Sequence, residues 1–167
     1  MAGGELGTTN MHRYLTLLMA AASLLGTVFA QSRPNVLSVT PPASIVAKPG
    51  ETASATLTIT VAPGYHANSN KPVDSYLIPL QLTWNPGPLT AASVVFPKPQ
   101  IQKLGFSAKP VSVFTGNFDI VTKFKVAGDA TPGSSTVTGK LHYQACDDRS
   151  CLPPATIEVS VPIVIGK

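Results

Sequence analysis

The sequence predicts an all-β fold, and three observations support this. Apolar and polar residues alternate with a period of two in five segments, which is typical of strands whose successive side chains point to opposite faces. Turn-forming residues separate the segments, and the chain contains 16 prolines and 13 glycines. No segment has a convincing helical period. Many short strands with turns between them favour an immunoglobulin-like antiparallel β-sandwich.

The first 30 residues have the pattern of a secretory signal peptide. His12 and Arg13 precede an apolar run from Tyr14 to Phe29, and Ala30 closes the run at a cleavage site. The run is too short and too interrupted by glycine for a transmembrane helix of about 20 residues, although an uncleaved anchor is the alternative. We therefore expect cleavage after Ala30, a periplasmic or secreted protein, and no membrane span after cleavage.

The chain that follows the signal has the size of one domain. Residues 31–52 are predicted to be an extended lead-in, and residues 53–167 to be the sandwich. The formal net charge is +4, but the basic residues are scattered and do not alternate with aromatic residues, which argues against nucleic-acid binding. All three methionines lie before residue 31, so a methionine-rich copper site is excluded.

Five strands are predicted from the alternation. In chain order they are Ala55–Val61, Tyr76–Trp84, Phe118–Val126 with an interruption at Thr122, Val137–Ala145, and Ile157–Ile165. In the fourth strand the odd positions are apolar, so Cys146 is expected on the opposite, outward-facing side. Trp84 ends an apolar stripe and is expected to pack in the core.

Cys146 and Cys151 are the only cysteines of the chain, and a polar turn of four residues separates them. A strand-turn-strand unit can bring two Cα atoms within the range of about 4.4–6.8 Å that a disulfide tolerates. Two interpretations follow. A reversible pair would need exposure and an available thiolate, whereas a structural clamp of this ring size would contribute about 2 kcal/mol. The spacing by itself leaves both open.

Other candidate residues are few. His66 and His142, together with the two cysteines, have the elements of a zinc site, but their spacing does not suit a finger or a ribbon. We therefore expect no metal and no cofactor. His66 follows a Pro-Gly turn, where a structural role is favoured over a place near the cysteines. Tyr143 has inward parity and is expected in the core, with a hydroxyl that could reach the turn.

Four stretches of the sequence resemble one known family. They are Tyr-Gln-Ala-Cys at 143–146 with Cys-Leu-Pro-Pro at 151–154, Pro-Gly-Tyr-His-Ala-Asn-Ser at 63–69, Tyr-Leu-Ile-Pro at 76–79, and Val-Val-Phe-Pro at 94–97. The family is the N-terminal periplasmic domain of the thiol:disulfide interchange protein DsbD, and the likeness covers most of residues 53–165. The cysteine element is the most specific of the four.

The resemblance implies an immunoglobulin-like sandwich whose redox pair is Cys146 and Cys151. Such a domain accepts reducing equivalents from a membrane-embedded relay and passes them to periplasmic thioredoxin-fold partners. The resemblance also implies an aromatic cap at residues 103–110 with Phe106 as the shield, and it favours Cys151 as the buried, resolving cysteine. Because the chain ends just after the sandwich, we expect its electron donor to be a separate polypeptide. The alternative is a non-catalytic immunoglobulin-like binding module with a structural hairpin disulfide.

Overall fold

The computed structural model describes residues 35–167. The predicted signal peptide therefore lies outside the described residues. Within them the chain forms twelve β-strands and no α-helix, arranged in three four-stranded sheets. The prediction of an all-β sandwich is confirmed. Residues 35–167 contain no helix that is long and apolar enough to cross a membrane.

The strands are numbered in chain order. They are β1 (Leu37–Thr40), β2 (Ile45–Ala47), β3 (Thr52–Val61), β4 (His66–Asn68), β5 (Gln81–Trp84), β6 (Leu89–Val95), β7 (Gln100–Gln102), β8 (Val111–Phe114), β9 (Asn117–Val126), β10 (Gly133–Tyr143), β11 (Ala145–Cys146) and β12 (Ala155–Ile165).

The first sheet has the strand order β1-β3-β9-β6, and all its neighbours are antiparallel. In β3 the buried and more exposed positions alternate along ten residues. Leu57 and Ile59 are fully buried on its inner face. This is the pattern that the alternation of apolar residues with threonines predicts, because a strand with one covered face buries every second side chain.

The second sheet has the strand order β2-β12-β10-β5. Strands β10 and β12 pair antiparallel along their whole length, from Gly133 opposite Ile165 to Tyr143 opposite Ala155. The short β2 joins the other edge of β12 in parallel. The inner faces of the first and second sheets supply most of one large apolar core.

The third sheet has the strand order β11-β4-β8-β7 and consists of strands of two to four residues. A second, smaller apolar cluster accompanies it, formed by Leu77, Leu104, Val111 and Val113. Strand β11 contains the first cysteine. The third sheet therefore positions the candidate site.

The segment predicted as an extended lead-in contributes two strands. Strand β1 pairs with β3 from Leu37 opposite Val61 to Thr40 opposite Thr58. Strand β2 pairs with the end of β12. Leu37 is almost completely buried in the main core, so this segment takes part in both large sheets.

The predicted strand from Tyr76 to Trp84 is wrong in its first half. Only β5, from Gln81 onward, is a strand. A turn precedes it, in which the Leu77 N–H donates to the Asp74 carbonyl at 3.2 Å, and Tyr76 is exposed. Pro79 has no N–H to give to a ladder, so it does not support pairing here.

Thr122 does not interrupt the third predicted strand, because β9 is continuous through it. The Thr122 side chain is fully buried, and its hydroxyl accepts a hydrogen bond from Trp84 Nε1 at 3.0 Å. The Trp84 ring packs edge-on against Phe124, with the ring centroids 5.0 Å apart. Trp84 therefore packs against the main core, as predicted, and satisfies the one polar side chain placed on that inner face of β9.

Candidate functional site at the hairpin disulfide

The two cysteines form a disulfide across a tight turn. The bond joins Cys146 and Cys151, whose Cα atoms lie 3.9 Å apart, somewhat closer than the range of about 4.4–6.8 Å usual for disulfides. The two residues face each other as an isolated antiparallel bridge. Backbone hydrogen bonds flank them on both sides, from Asp147 N to the Ser150 carbonyl at 2.9 Å and from Leu152 N to the Ala145 carbonyl at 2.8 Å.

The turn between the cysteines is organised by the Asp147 side chain. Its Oδ1 accepts hydrogen bonds from the backbone N–H groups of Arg149 at 2.8 Å and Ser150 at 2.7 Å. The two backbone donors hold the pKa of the Asp147 carboxyl below its ordinary value, because they stabilise the ionised form. The donor of Arg149 has the larger effect and that of Ser150 the smaller. The aspartate thus closes the turn locally, as short polar side chains commonly do.

The two sulfur-bearing residues differ in exposure. Cys146 is fully buried, whereas Cys151 is partly exposed at the end of the turn. Both the predicted outward position of Cys146 and the expectation that Cys151 is the buried cysteine are therefore wrong. Only the second cysteine is reachable from solvent without a rearrangement.

The parity argument failed because the cysteine strand is not continuous. Strand β10 ends at Tyr143, and after Gln144 the chain enters β11, which leaves the second sheet and pairs with β4 in the third. Ala145 keeps the inward parity of Tyr143 and packs in the main core, but β11 is buried on both of its faces. Cys146, on the face opposite Ala145, is therefore buried as well.

Phe106, the residue expected as the shield of the cysteine pair, packs against His66. Its ring stacks on His66, with centroids 5.9 Å apart and an angle of 10° between the planes. Phe106 and Cys151 both pack against the small apolar cluster of the third sheet. We call residues 103–110 the cap loop from here on.

The cap loop also touches the turn directly. A Cβ added to Gly105 would lie 2.8 Å from the Asp148 carbonyl oxygen, which is closer than real Cβ contacts. The absence of a side chain at Gly105 therefore lets the backbone of the loop approach the backbone of the turn. Ser107 stabilises the loop beyond Phe106, because its hydroxyl donates to the Lys109 carbonyl at 2.9 Å.

His66 lies at the site itself, although a structural role elsewhere was favoured from the sequence. It is the register partner of Cys146 in the β4–β11 ladder, and it is 3% exposed. Its Nε2 is buried and has no hydrogen-bond partner among residues 35–167. Burial lowers the pKa of the imidazole, while the carboxylates of Asp148 and Asp147 oppose that shift.

Tyr143 is placed as predicted for a core residue. It is buried in the main core at the end of β10, and burial raises the pKa of its hydroxyl. No hydrogen bond among the described residues joins that hydroxyl to the turn.

Two site residues escaped the sequence reasoning, Asn68 and Gln144. Asn68 is fully buried on β4, and its Nδ2 donates to the Gln144 Oε1 at 3.0 Å. Its Oδ1 lies 4.0 Å from the Cys146 sulfur. Both residues stand within the stretches that carry the family resemblance, next to His66 and Cys146. The signal that could have identified Asn68 was a polar residue in a short segment whose residues do not alternate between polar and apolar.

His142, the other histidine considered for zinc, is not at the turn. Its Nδ1 lies 3.0 Å from the Thr156 hydroxyl, across the β10–β12 ladder. In residues 35–167 no three His, Cys, Asp or Glu side chains come together in a way that could hold a metal ion.

These features define an immunoglobulin-like β-sandwich domain with one disulfide at a hairpin turn, one sulfur buried and the other near the surface. The chain belongs to the family described as thiol:disulfide interchange protein DsbD, N-terminal, whose model matches residues 33–162. The resemblance drawn from the sequence is thereby confirmed.

One solved structure adds support for the fold. The N-terminal periplasmic domain of ScsB from Proteus mirabilis is similar with a TM-score of 0.55 and 12% identity, over 78% of this chain and 48% of that one. This chain therefore matches about half the length of the ScsB domain. A cohesin module from a Clostridium perfringens family 33 glycoside hydrolase gives a TM-score of 0.46 and 10% identity, over 78% and 98% of the two chains. No curated protein matches the sequence.

Proposed function

We propose that this protein is a periplasmic thiol:disulfide exchange domain that uses Cys146–Cys151 as a reversible redox pair. Its partners are thioredoxin-fold proteins on one side and a membrane electron donor on the other. The observation that carries the proposal is the unequal burial of the two cysteines. Exchange requires one sulfur that a partner can reach and a second sulfur that stays within reach of the first, and the hairpin provides both.

The chemistry assigns different roles to the two sulfurs. A partner thiolate attacks the accessible sulfur of Cys151, a new S–S bond forms, and the Cys146–Cys151 bond breaks. The electron pair goes to Cys146, which takes up a proton. A second partner thiol then releases Cys151, so the partner dithiol is oxidised to a disulfide and the domain is reduced to a dithiol. In the opposite direction Cys151 attacks a partner disulfide and Cys146 resolves the mixed disulfide.

The family favours this function, and the cap loop is consistent with it. The Phe106 ring and Cys151 pack against the same small apolar cluster. There the ring limits access by small thiols, while a loop such as residues 103–110 can move aside for a protein partner. The fully buried Cys146 favours the second candidate, a non-catalytic binding module in which the disulfide is a clamp. The reduction potential separates the two, because structural disulfides lie below about −300 mV.

The direct test uses the single-cysteine variants Cys146→Ala and Cys151→Ala. Each is mixed with a thioredoxin that retains only its attacking cysteine, activated as the mixed disulfide with thionitrobenzoate, and release of the coloured thiolate is followed. We expect Cys146→Ala, which keeps Cys151, to react at least about tenfold faster, because thiol reactivity follows exposure. Mass spectrometry should locate the product on Cys151.

Two outcomes would reject the proposal. One is equal and slow reaction of both variants with the activated thioredoxin. The other is a wild-type reduction potential well below about −300 mV, which is the range of inert structural disulfides. Circular dichroism of both variants ensures that a slow reaction is not caused by unfolding.

A further inference from the structure

The buried sulfur faces a hydrogen-bond acceptor. Asn68 uses its two amide protons elsewhere, because Nδ2 donates to the Ile78 carbonyl at 3.1 Å and to the Gln144 Oε1 at 3.0 Å. The remaining polar atom, Oδ1, lies 4.0 Å from the Cys146 sulfur. Asn68 and Cys146 are both fully buried.

The orientation of the two amides is determined by backbone groups. The Ile78 carbonyl can only accept, so the Asn68 atom that contacts it must be the amino group. The Ile78 N–H can only donate, so the Gln144 atom that it contacts at 3.2 Å must be the oxygen. Gln144 Nε2 in turn donates to the Leu152 carbonyl at 3.3 Å. The Asn68 carbonyl oxygen is therefore the atom that faces the sulfur.

The register of the third sheet places a second potential acceptor, His66 Nε2, on the same face as Cys146. His66 is directly opposite Cys146 in the β4–β11 ladder, and side chains of such opposed residues lie on one face with Cβ atoms about 4.5–5.5 Å apart. Asn68 is two residues further along β4 and shares that face. The unpartnered Nε2 of His66 is buried there, beneath the Phe106 ring.

In the oxidised protein neither acceptor has a proton to accept. A disulfide sulfur carries no hydrogen, so the contact between Cys146 and the Asn68 oxygen is not a hydrogen bond in this state. Buried polar atoms without partners destabilise the state that contains them. Reduction places a thiol proton on Cys146, next to both of them.

We propose that Asn68 and His66 are positioning residues that stabilise the protonated thiol of Cys146, so that the site favours the reduced pair and leaves the thiolate to Cys151. The inference rests on the proposed exchange function and deepens it. When the partner thiolate displaces Cys146 from the disulfide, the leaving sulfur takes up a proton released by the partner's thiol. The resulting S–H donates to the Asn68 carbonyl, with His66 Nε2 as the neighbouring acceptor.

The electrostatics around His66 agree with an acceptor role. Burial keeps its pKa below the ordinary value, so the neutral ring prevails, although the carboxylates of Asp148 and Asp147 act from the turn in the opposite sense. The cap loop contributes the uncharged Phe106 on the other side. A neutral imidazole whose proton is on Nδ1 accepts a hydrogen bond at Nε2, whereas an imidazolium only donates from both nitrogens.

The test compares the reduction equilibrium of the wild type with those of Asn68→Leu and His66→Phe in dithiothreitol buffers. In Asn68→Leu the side-chain carbonyl is removed at similar volume. In His66→Phe the ring nitrogens are removed, but a ring that can stack on Phe106 is retained. We expect the equilibrium constant for reduction to fall about three- to tenfold in each variant, as the loss of one hydrogen bond predicts. By the two-electron relation this is a shift of about 15–30 mV to more negative potential.

A purely structural role is separated by measuring unfolding in both redox states. Loss of packing destabilises the oxidised and reduced forms equally, whereas the proposed role destabilises the reduced form more. Thr122→Val is the matched control, since it removes a buried hydrogen-bonded hydroxyl from the main core and should leave the reduction equilibrium unchanged.

The inference is overturned if Asn68→Leu and His66→Phe both keep the wild-type equilibrium within about twofold, less than one hydrogen bond would give. If one of these two variants does not fold, the reduction equilibrium of the other decides the outcome. A very negative wild-type potential would reject the exchange function but would leave the ratio between variant and wild type measurable. The two failures are therefore distinguishable.

Discussion

The two large sheets and the third sheet are built on different principles. The large sheets bury apolar side chains from strands of up to eleven residues, such as β10 and β12. Within the described residues their inner faces contain one buried polar side chain, Thr122, which Trp84 satisfies. The third sheet has strands of at most four residues. The other buried polar side chains lie in it or beside it: His66, Asn68, Ser69, Ser107 and Ser112.

This difference separates the part of the fold that supplies most of the stability from the part that contains the proposed redox pair. The long strands remove a continuous apolar surface from water, which is the main favourable term in folding. The third sheet buries less apolar surface and depends on paired amides to satisfy its polar groups. The disulfide lies in the second kind of environment, and the proposed exchange uses the polar groups that are buried there.

The largest effect is expected in the main core. Leu57→Ala removes a fully buried side chain of β3, so the free energy of unfolding should fall by about 2–5 kcal/mol. The reduction equilibrium of the disulfide should not change while the variant is folded. Chemical denaturation measures the first quantity, and Thr56→Ala, an exposed position on the same strand, is the control. A changed equilibrium would mean that the two regions are coupled more strongly than their separate cores suggest.

An intermediate effect is expected at the cap loop. Phe106→Ala removes the ring that stacks on His66, and exposure of a sulfur increases its rate of exchange. Reduction by dithiothreitol should therefore become several-fold faster. Phe96→Ala is the matched control, because the Phe96 ring is also partly buried but stacks on Phe114, with centroids 6.5 Å apart, beside the main core. Equal acceleration in both variants would show that general loosening, rather than uncapping, controls the rate.

The smallest effect is expected from the turn aspartate. Two backbone donors lower the folded-state pKa of Asp147 below the unfolded value of 3.8, so its contribution to stability is present above that pH. The contribution is lost as the pH falls through the folded-state pKa. Asp147→Asn keeps an acceptor oxygen but does not titrate. The free energy of unfolding of the wild type should therefore decrease relative to that of the variant on acidification.

Denaturation series at several acidic pH values check this expectation. Asp129→Asn, which removes an exposed carboxylate from another turn, is the control for the loss of one surface charge. Parallel curves for the wild type and Asp147→Asn would show that the carboxylate does not stabilise the turn.

The strands with one covered face were predictable because their side chains alternate. The alternation in β3 and β12 placed Leu57, Val159 and Val161 inside, and these residues are buried. The prediction failed at Tyr76–Leu80, where the same alternation does not lead to pairing, and at Cys146. Parity indicates the face on which a side chain lies but not whether that face is covered, and β11, which pairs with β4 in the third sheet, is buried on both faces.

The covalent part of the site was predictable from the sequence, but its polar surroundings were not. The cysteine spacing identified the disulfide, and the cap role of Phe106 stays a prediction. Asn68 approaches Cys146 from 78 residues away in the chain, and Gln144 contacts Ile78 from 66 residues away. Partners at such separations have no local signature.

The sequence by itself determined the β class, the buried faces of the long strands and the pairing of the two cysteines, because period-two alternation and a short turn act locally. The tertiary structure decided which sulfur is buried and which acceptors surround it. Those properties depend on β11 leaving the second sheet to pair with β4, and strand pairing across the fold is a non-local choice that satisfies backbone groups and packs the core together.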